Sequence, residues 1–347
     1  MVGLDPVQHP ELHKKPGVHY AFTDDGLELP LIDVTHPAFA IARPDEVQRE
    51  AVEKFMREQR DFAKLPNFVQ RAMMWMFFRG SRLGNSLRTS DGTFLPGVAT
   101  YLLKLPPDML GEAYARPVDR RVVSAAPSLS MRLRLQDMAT LAVEALTPAL
   151  ANDAERPLVF INIAGGPALD SVNALLLIQR DRPELLASRS VRIHVLDGDH
   201  AGPSFGARAL AAFRSKGSAL ERVNVRLEHE RFDWSEPARL RKALERAAEE
   251  NAFTLGASEG GLFEYGSDPD ILSVLAEFRD SKASLLGVIG SVTRDDEFMK
   301  IVKRTSKAAT RPRGITVFER LCRSVGYEIR RAIERPMSDN VWITPQT

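Results

Sequence analysis

The stretch Leu158-Val-Phe-Ile-Asn-Ile-Ala-Gly-Gly-Pro-Ala-Leu-Asp-Ser171 constrains this chain more than any other. An apolar run stops at Gly165-Gly166-Pro167, and Leu169, Val172, Leu175 and Leu176 then recur at helical spacing. This predicts a buried parallel strand, a tight turn and a helix N-terminus, a junction that brings backbone N–H groups close to a ligand. A second strand, Val191-Arg-Ile-His-Val-Leu196, ends in Asp197. A carboxylate at the end of the second strand is where ribose hydroxyls are held in sheets of this kind. The two features together point to a nucleoside-containing cofactor.

From Leu158 onward, strand and helix signals alternate, which is the pattern of an open parallel α/β sheet. Strands are expected at 158–163, 191–196, 223–228, 252–257 and 284–290, with helices near 169–180, 203–215, 236–250, 269–280 and 315–325. Tyr327–Ile333 and Val341–Thr344 flank the turn-forming run 336–340 and read as a closing β-hairpin. The first 125 residues read differently. A short edge strand is expected within Leu27–Val34, helices from Pro44 and over Asn67–Phe78, and a long loop over Gly80–Gly97; an amphipathic helix from Ser128 then opens the following domain. This gives a mainly helical N-terminal region, 1–125, acting as a cap or dimerisation surface, ahead of a cofactor-binding domain, 126–347.

Charge and cysteine content narrow the partners. The 347 residues carry 47 basic and 46 acidic side chains, a net charge of +1. No polybasic field exists to hold nucleic acid, and no apolar run is long enough to span a bilayer. The single cysteine, Cys322, excludes an internal disulfide and a cysteine-based zinc cluster, and is expected buried and inert. With no basic and apolar leader at Met1, a cytoplasmic setting is expected. His9, His13, His19 and His36 show no metal-type pairing. Met73, Met74, Trp75, Met76, Phe77 and Phe78 read as helix-packing core, alternatively as an acceptor pocket or homodimer surface; Arg71, Arg79 and Arg82 read as a solvated face.

Asn162-Ile-Ala-Gly-Gly-Pro-Ala168 resembles the first motif of the class I S-adenosylmethionine-dependent methyltransferases, which runs roughly acidic-x-G-x-G-x-G. Asn162 stands for the acid, and Ala164 and Ala168 stand for two glycines. The resemblance covers about residues 130–347. It implies a seven-stranded Rossmann-like sheet with an antiparallel C-terminal hairpin, and S-adenosyl-L-methionine as cofactor. It places Asn162, Ala164, Gly165 and Gly166 at the cofactor, Asp197 at the ribose diol, Asp233 and Trp234 at the adenine, and Ser258 and Glu259 toward the sulfonium and acceptor. Asn162–Gly166 and Ala257–Tyr265 also look like the leucine-carboxyl-methyltransferase-like group, which uses an arginine before the first strand to hold the cofactor carboxylate. Arg132 or Arg134 is the counterpart here.

The implied activity is O-methylation of a small, partly apolar acceptor. Glu259, His200 and His229 are the candidates for a general base, and a carboxylate acceptor needs none. Two other readings stand beside it. A nicotinamide-dependent oxidoreductase wants a third glycine, which is Ala168 here. A non-catalytic protein keeping the fold is the reading that Asn162, Ala164 and Ala168 favour.

Overall fold

The computed structural model describes residues 8–9, 11–79, 81, 83, 97–111, 116–305 and 308–346; the side chains of Leu12, Met74, Phe77, Phe78 and Thr305 also lie outside the description. Almost all of the loop expected over Gly80–Gly97 falls outside the described residues.

The six residues Leu158–Ile163 (β3) are buried on both faces, as an unbroken apolar run requires of a central parallel strand. β3 pairs in parallel with Ser190–Asp197 (β4) on one side and Phe253–Ser258 (β6) on the other. Asn224–Arg231 (β5) extends the β4 side, and Ser284–Thr293 (β7) extends the β6 side. The hairpin Tyr327–Glu334 (β8) and Ser338–Pro345 (β9) closes the sheet, with β9 inserted antiparallel between β7 and β8. The seven-stranded order is β5-β4-β3-β6-β7-β9-β8. This is the Rossmann-like sheet of the class I methyltransferase fold. The strand order reverses at β3, so its carboxyl end opens a crevice at a topological switch point.

Every strand expected after Leu158 is present, and the five helices expected there lie within a few residues of their places. The hairpin differs in one respect. Its turn is short, and β9 begins at Ser338 rather than at Val341. Ser338, Asp339 and Asn340 are turn-forming residue types, but here they are buried and paired, Asn340 donating to Asp137 at 2.9 Å. Tertiary hydrogen bonds override local turn preference. The helix Glu297–Thr305 was not expected from the sequence.

The N-terminal region has two parts. Tyr20–Phe22 (β1) and Glu28–Pro30 (β2) form a separate two-stranded ribbon instead of an edge of the main sheet. Leu29, Leu31, Val34 and Phe39 share one core with Phe160 and with Val172 and Leu175 of the helix Leu169–Asp181. Asn173 pins this segment, accepting from the Val34 N–H at 2.8 Å and donating to the Ile32 carbonyl at 3.0 Å. The second part is the helix pair Pro44–Ala63 (α1) and Asn67–Phe78 (α2). Phe55 and Met56 of α1 pack on Phe298, Met299 and Val302 of Glu297–Thr305. The helices Gly97–Leu103 (α3), Pro117–Ser124 (α4) and Ala126–Asn152 (α5) lead into the sheet. The remaining helices are Leu169–Asp181 (α6), Ala201–Phe213 (α7), Ala238–Glu249 (α8), Leu262–Tyr265 (α9), Asp268–Asp280 (α10), Glu297–Thr305 (α11) and Gly314–Ser324 (α12).

One buried ion pair ties these layers together. Arg335, just before β9, donates from Nε and Nη2 to the Asp137 carboxylate of α5 at 2.6 and 2.8 Å, and from Nη1 to Asp45 of α1 at 2.7 Å. Breaking one partner of a buried pair leaves an uncompensated charge. Arg335→Ala should therefore lower unfolding stability by about 3–5 kcal/mol in denaturant titration, and Arg335→Lys should recover part of the loss.

Candidate functional site

The residues between β3 and α6 form a tightly wound loop. Ala164, Gly166 and Ala168 all hold left-handed backbone, with φ of 51°, 52° and 51°. Alanine tolerates this less well than glycine, because its Cβ crowds the following carbonyl. The loop is held from both sides. The Ala164 N–H donates to the Leu196 carbonyl at 2.8 Å. Beneath it, Asn162 donates to Asp170 and accepts from Ser171, each at 3.0 Å. A Cβ at Gly165 would sit 2.9 Å from Asn162 Cβ, whereas one at Gly166 would meet nothing within 4 Å. Gly166 thus faces open space. On the outer side α7 presses in: a Cβ at Gly202 would come 3.0 Å from Gly166 Cα, and one at Gly206 would come 2.4 Å from the Pro167 carbonyl.

Gly166 donates its N–H to Asp197 Oδ2 at 2.8 Å, and Asp199 donates its N–H to Oδ1 at 2.8 Å. These bonds hold the Asp197 carboxylate at the β4 end against the glycine loop. Burial raises its pKa, and the two N–H bonds counter that rise. Around this pair opens a cavity of about 1440 Å³. Ligand pockets commonly occupy about 300–1,000 Å³, so this one has room for two small molecules. Its floor is Ala164–Gly166, Asp197, Phe232–Trp234 and Glu259–Gly261 at the carboxyl ends of β3 to β6. Phe55, Phe62 and Leu65 from the α1–α2 region and Met299 and Val302 of α11 form an apolar wall.

A charged cluster borders the floor. Glu259 accepts from Arg134 Nε at 2.6 Å and is paired with Lys104; Arg134 Nη1 donates to Glu264 at 2.9 Å. All four side chains are buried. Burial alone would raise the Glu259 pKa, but Lys104 and Arg134 outweigh it and hold it at about 2. Glu259 is therefore an anion that takes no proton near neutrality, which removes it as a general base. Next to this cluster, Asp170 is buried, with Oδ2 lacking a partner. Burial, with Glu259 nearby, pushes its pKa up to about 6.

Of the residues singled out in the sequence, Ala164, Gly165, Gly166, Asp197, Asp233, Trp234, Glu259 and Arg134 all border the cavity. Of the two arginines Arg134 borders the cavity, whereas Arg132 donates to the Leu105 and Val123 carbonyls at 3.0 Å. Five of the candidates sit as follows. Asn162 is buried under the loop and positions it. Ser258 is spent on the Ile163 carbonyl and the Leu262 N–H, joining β3 to the start of α9. His200 and His229 lie outside the cavity lining with rings 5.6 Å apart, and His229 is bonded to the Asp197 carbonyl at 3.1 Å. Asp233 is exposed at the rim, and its Oδ1 accepts from the Ser235 N–H and hydroxyl.

Lys104 and Glu264 were missed. Lys104 follows α3 in an unremarkable sequence; only the chain's path brings it to Glu259, and no local signal marks it. Glu264 lies inside the Ala257–Tyr265 stretch and is identified by its pairing with Arg134. Cys322 is buried as expected, its thiol pushed up to about 12 by burial. No cluster of potential metal ligands occurs among the described residues.

No protein-family profile matches the chain, and no curated protein matches its sequence. Solved structures do resemble it. A possible exported protein from Bordetella parapertussis superposes with a TM-score of 0.54 at 15% identity, covering 90% of this chain and 99% of that one. Magnesium protoporphyrin IX methyltransferase from Synechocystis PCC 6803, with bound SAH, gives 0.41 at 10% identity over 64% of this chain and 87% of that one. An O-methyltransferase family protein from Burkholderia thailandensis gives 0.40 at 11% identity over 67% of this chain and 61% of that one. At these identities the likeness is one of fold.

The loop geometry predicts opposite effects for two small changes. Ala164→Gly should raise stability by up to about 1 kcal/mol, since relief of left-handed strain exceeds glycine's added chain entropy. Gly206→Ala should lower it by about 1–3 kcal/mol, because the methyl meets backbone. Thermal unfolding of the two variants measures both. Asp170 adds a pH signature. Its folded pKa lies above its unfolded value of 3.8, so charging it opposes folding as pH rises from about 4 to above 6. Asp170→Asn should gain stability on the wild type across that window, by up to about 3 kcal/mol, and show no further relative gain above pH 7.

Proposed function

We propose that the chain transfers a methyl group from S-adenosyl-L-methionine to a small, partly apolar acceptor. One observation carries this reading: the open Gly166 position and the half-buried Asp197 carboxylate are hydrogen-bonded together at the switch point of a class I methyltransferase sheet, facing a cavity with room for cofactor and acceptor. The residues present suit the cofactor. Asp197 keeps lone pairs for ribose hydroxyls beyond the two N–H bonds it accepts. Phe232 and Trp234 offer apolar surface for an adenine ring, with Asp233 at the rim. Arg134, with Nη2 beside Gly260, suits a carboxylate, and Glu259 and Glu264 suit an ammonium or sulfonium charge.

When bound, S-adenosylmethionine supplies a methyl group already activated by its sulfonium. Its leaving group would be a neutral sulfide. The chain's residues then have to align the acceptor and exclude water. The apolar wall of Phe55, Phe62, Met299 and Val302 serves both tasks. With Glu259 held as an anion and His200 and His229 outside the cavity lining, an acceptor that arrives already deprotonated fits best. A carboxylate is the simplest case, and O-methylation the matching reaction.

Calorimetric titration of the purified chain with S-adenosylhomocysteine and with NAD tests the cofactor. S-adenosylhomocysteine should bind, and Asp197→Ala should weaken it at least tenfold while unfolding cooperatively. Binding of NAD alone would move the reading to the oxidoreductase. Absence of binding by either compound would favour a non-catalytic protein that keeps the fold.

A further inference from the structure

We propose that α2 is an interfacial helix that seats the protein on an anionic bilayer surface. Phe68, Ala72, Trp75, Met76 and Arg79 fall on one face of this helix by its periodicity, and all are exposed. Phe68 is 75% exposed, Trp75 57% and Met76 61%. Of the run expected as packing core or as a pocket or homodimer surface, Met73, Trp75 and Met76 are exposed. A soluble helix places its large apolar side chains inward, so a face of this composition needs an apolar neighbour.

Charge identifies that neighbour. From Phe62 to Ser90 the sequence holds no Asp or Glu, while Lys64, Arg71, Arg79, Arg82 and Arg88 fall within it. Arg71 and Arg79 are exposed on α2, and the Arg79 guanidinium lies 4.9 Å from the Trp75 ring centroid. Tryptophan with flanking arginine, beside apolar side chains on one face, is the composition of helices that lie at the boundary of headgroups and acyl chains. A two-fold pairing of this face with a second copy would instead set exposed arginines of one copy against those of the other. No described helix is long and apolar enough to cross a membrane, so the mode is lying on the surface. Leu65 and Met73, beside this face, border the cavity, so docking would bring the cavity's α2 edge to the lipid. The inference stands apart from the cofactor reading.

Co-sedimentation of the full chain with vesicles tests it, comparing pure phosphatidylcholine with phosphatidylcholine containing about 30% phosphatidylglycerol. The chain should pellet with the anionic vesicles, weakly with the neutral ones, and less at high salt. Arg71→Gln and Arg79→Gln should each weaken binding about fivefold. Trp75→Ser with Met76→Ser should abolish it without changing the melting temperature or S-adenosylhomocysteine titration, because neither side chain packs inside or borders the cavity. Equal binding to neutral vesicles, or none to either, would overturn the proposal. So would a dimer in sedimentation velocity that the Trp75→Ser, Met76→Ser variant dissolves.

Discussion

The hydrogen bond from the Gly166 N–H to the Asp197 carboxylate joins the two ends on which the site is built, the turn after β3 and the tip of β4. Each end depends on close approach elsewhere. The loop can lie there because Gly202 and Gly206 leave no Cβ between α7 and Gly166–Pro167. It holds its left-handed turns at Ala164 and Ala168 because Asn162, Asp170 and Ser171 brace it from below. The strain at the two alanines, of order 1–2 kcal/mol each, is offset by this bracing. Alanine in place of glycine at these two positions is thus compatible with the loop conformation.

The electrostatics follow a similar economy. Lys104, Arg134, Glu259 and Glu264 form a buried set with balanced charge, so each ion's loss of water is compensated by an opposite neighbour. The balance also decides the chemistry. A carboxylate held at about 2 cannot collect a proton at neutral pH, so the Glu259 charge is committed to Lys104 and Arg134. Asp170, under the same loop and short of one partner, pays for its burial in pKa instead.

The sheet was legible because a parallel strand buried on both faces writes itself as a largely apolar run, as β3 does, and because Gly165-Gly166 and Asp197 sit at strand ends. Side-chain direction was not legible. Asn162 and Ser258 stand at strand ends too, but they turn into the protein, Asn162 to the side chains of Asp170 and Ser171 and Ser258 to backbone, and a sequence does not distinguish that from facing a ligand. Lys104 was invisible for another reason: its partner is far away in sequence, and only the packing of α3 brings them together. Met73, Trp75 and Met76 of α2 are exposed, whereas composition alone assigns tryptophan and methionine to a core.

A crystal structure of the chain grown with S-adenosylhomocysteine tests the central claim most directly. The ribose should lie on the Asp197 carboxylate, with the adenine toward Phe232–Trp234 and the Gly165–Gly166 turn against the ligand. Density for the nucleoside elsewhere in the cavity, with Asp197 bound only to the Gly166 and Asp199 N–H groups, would contradict it.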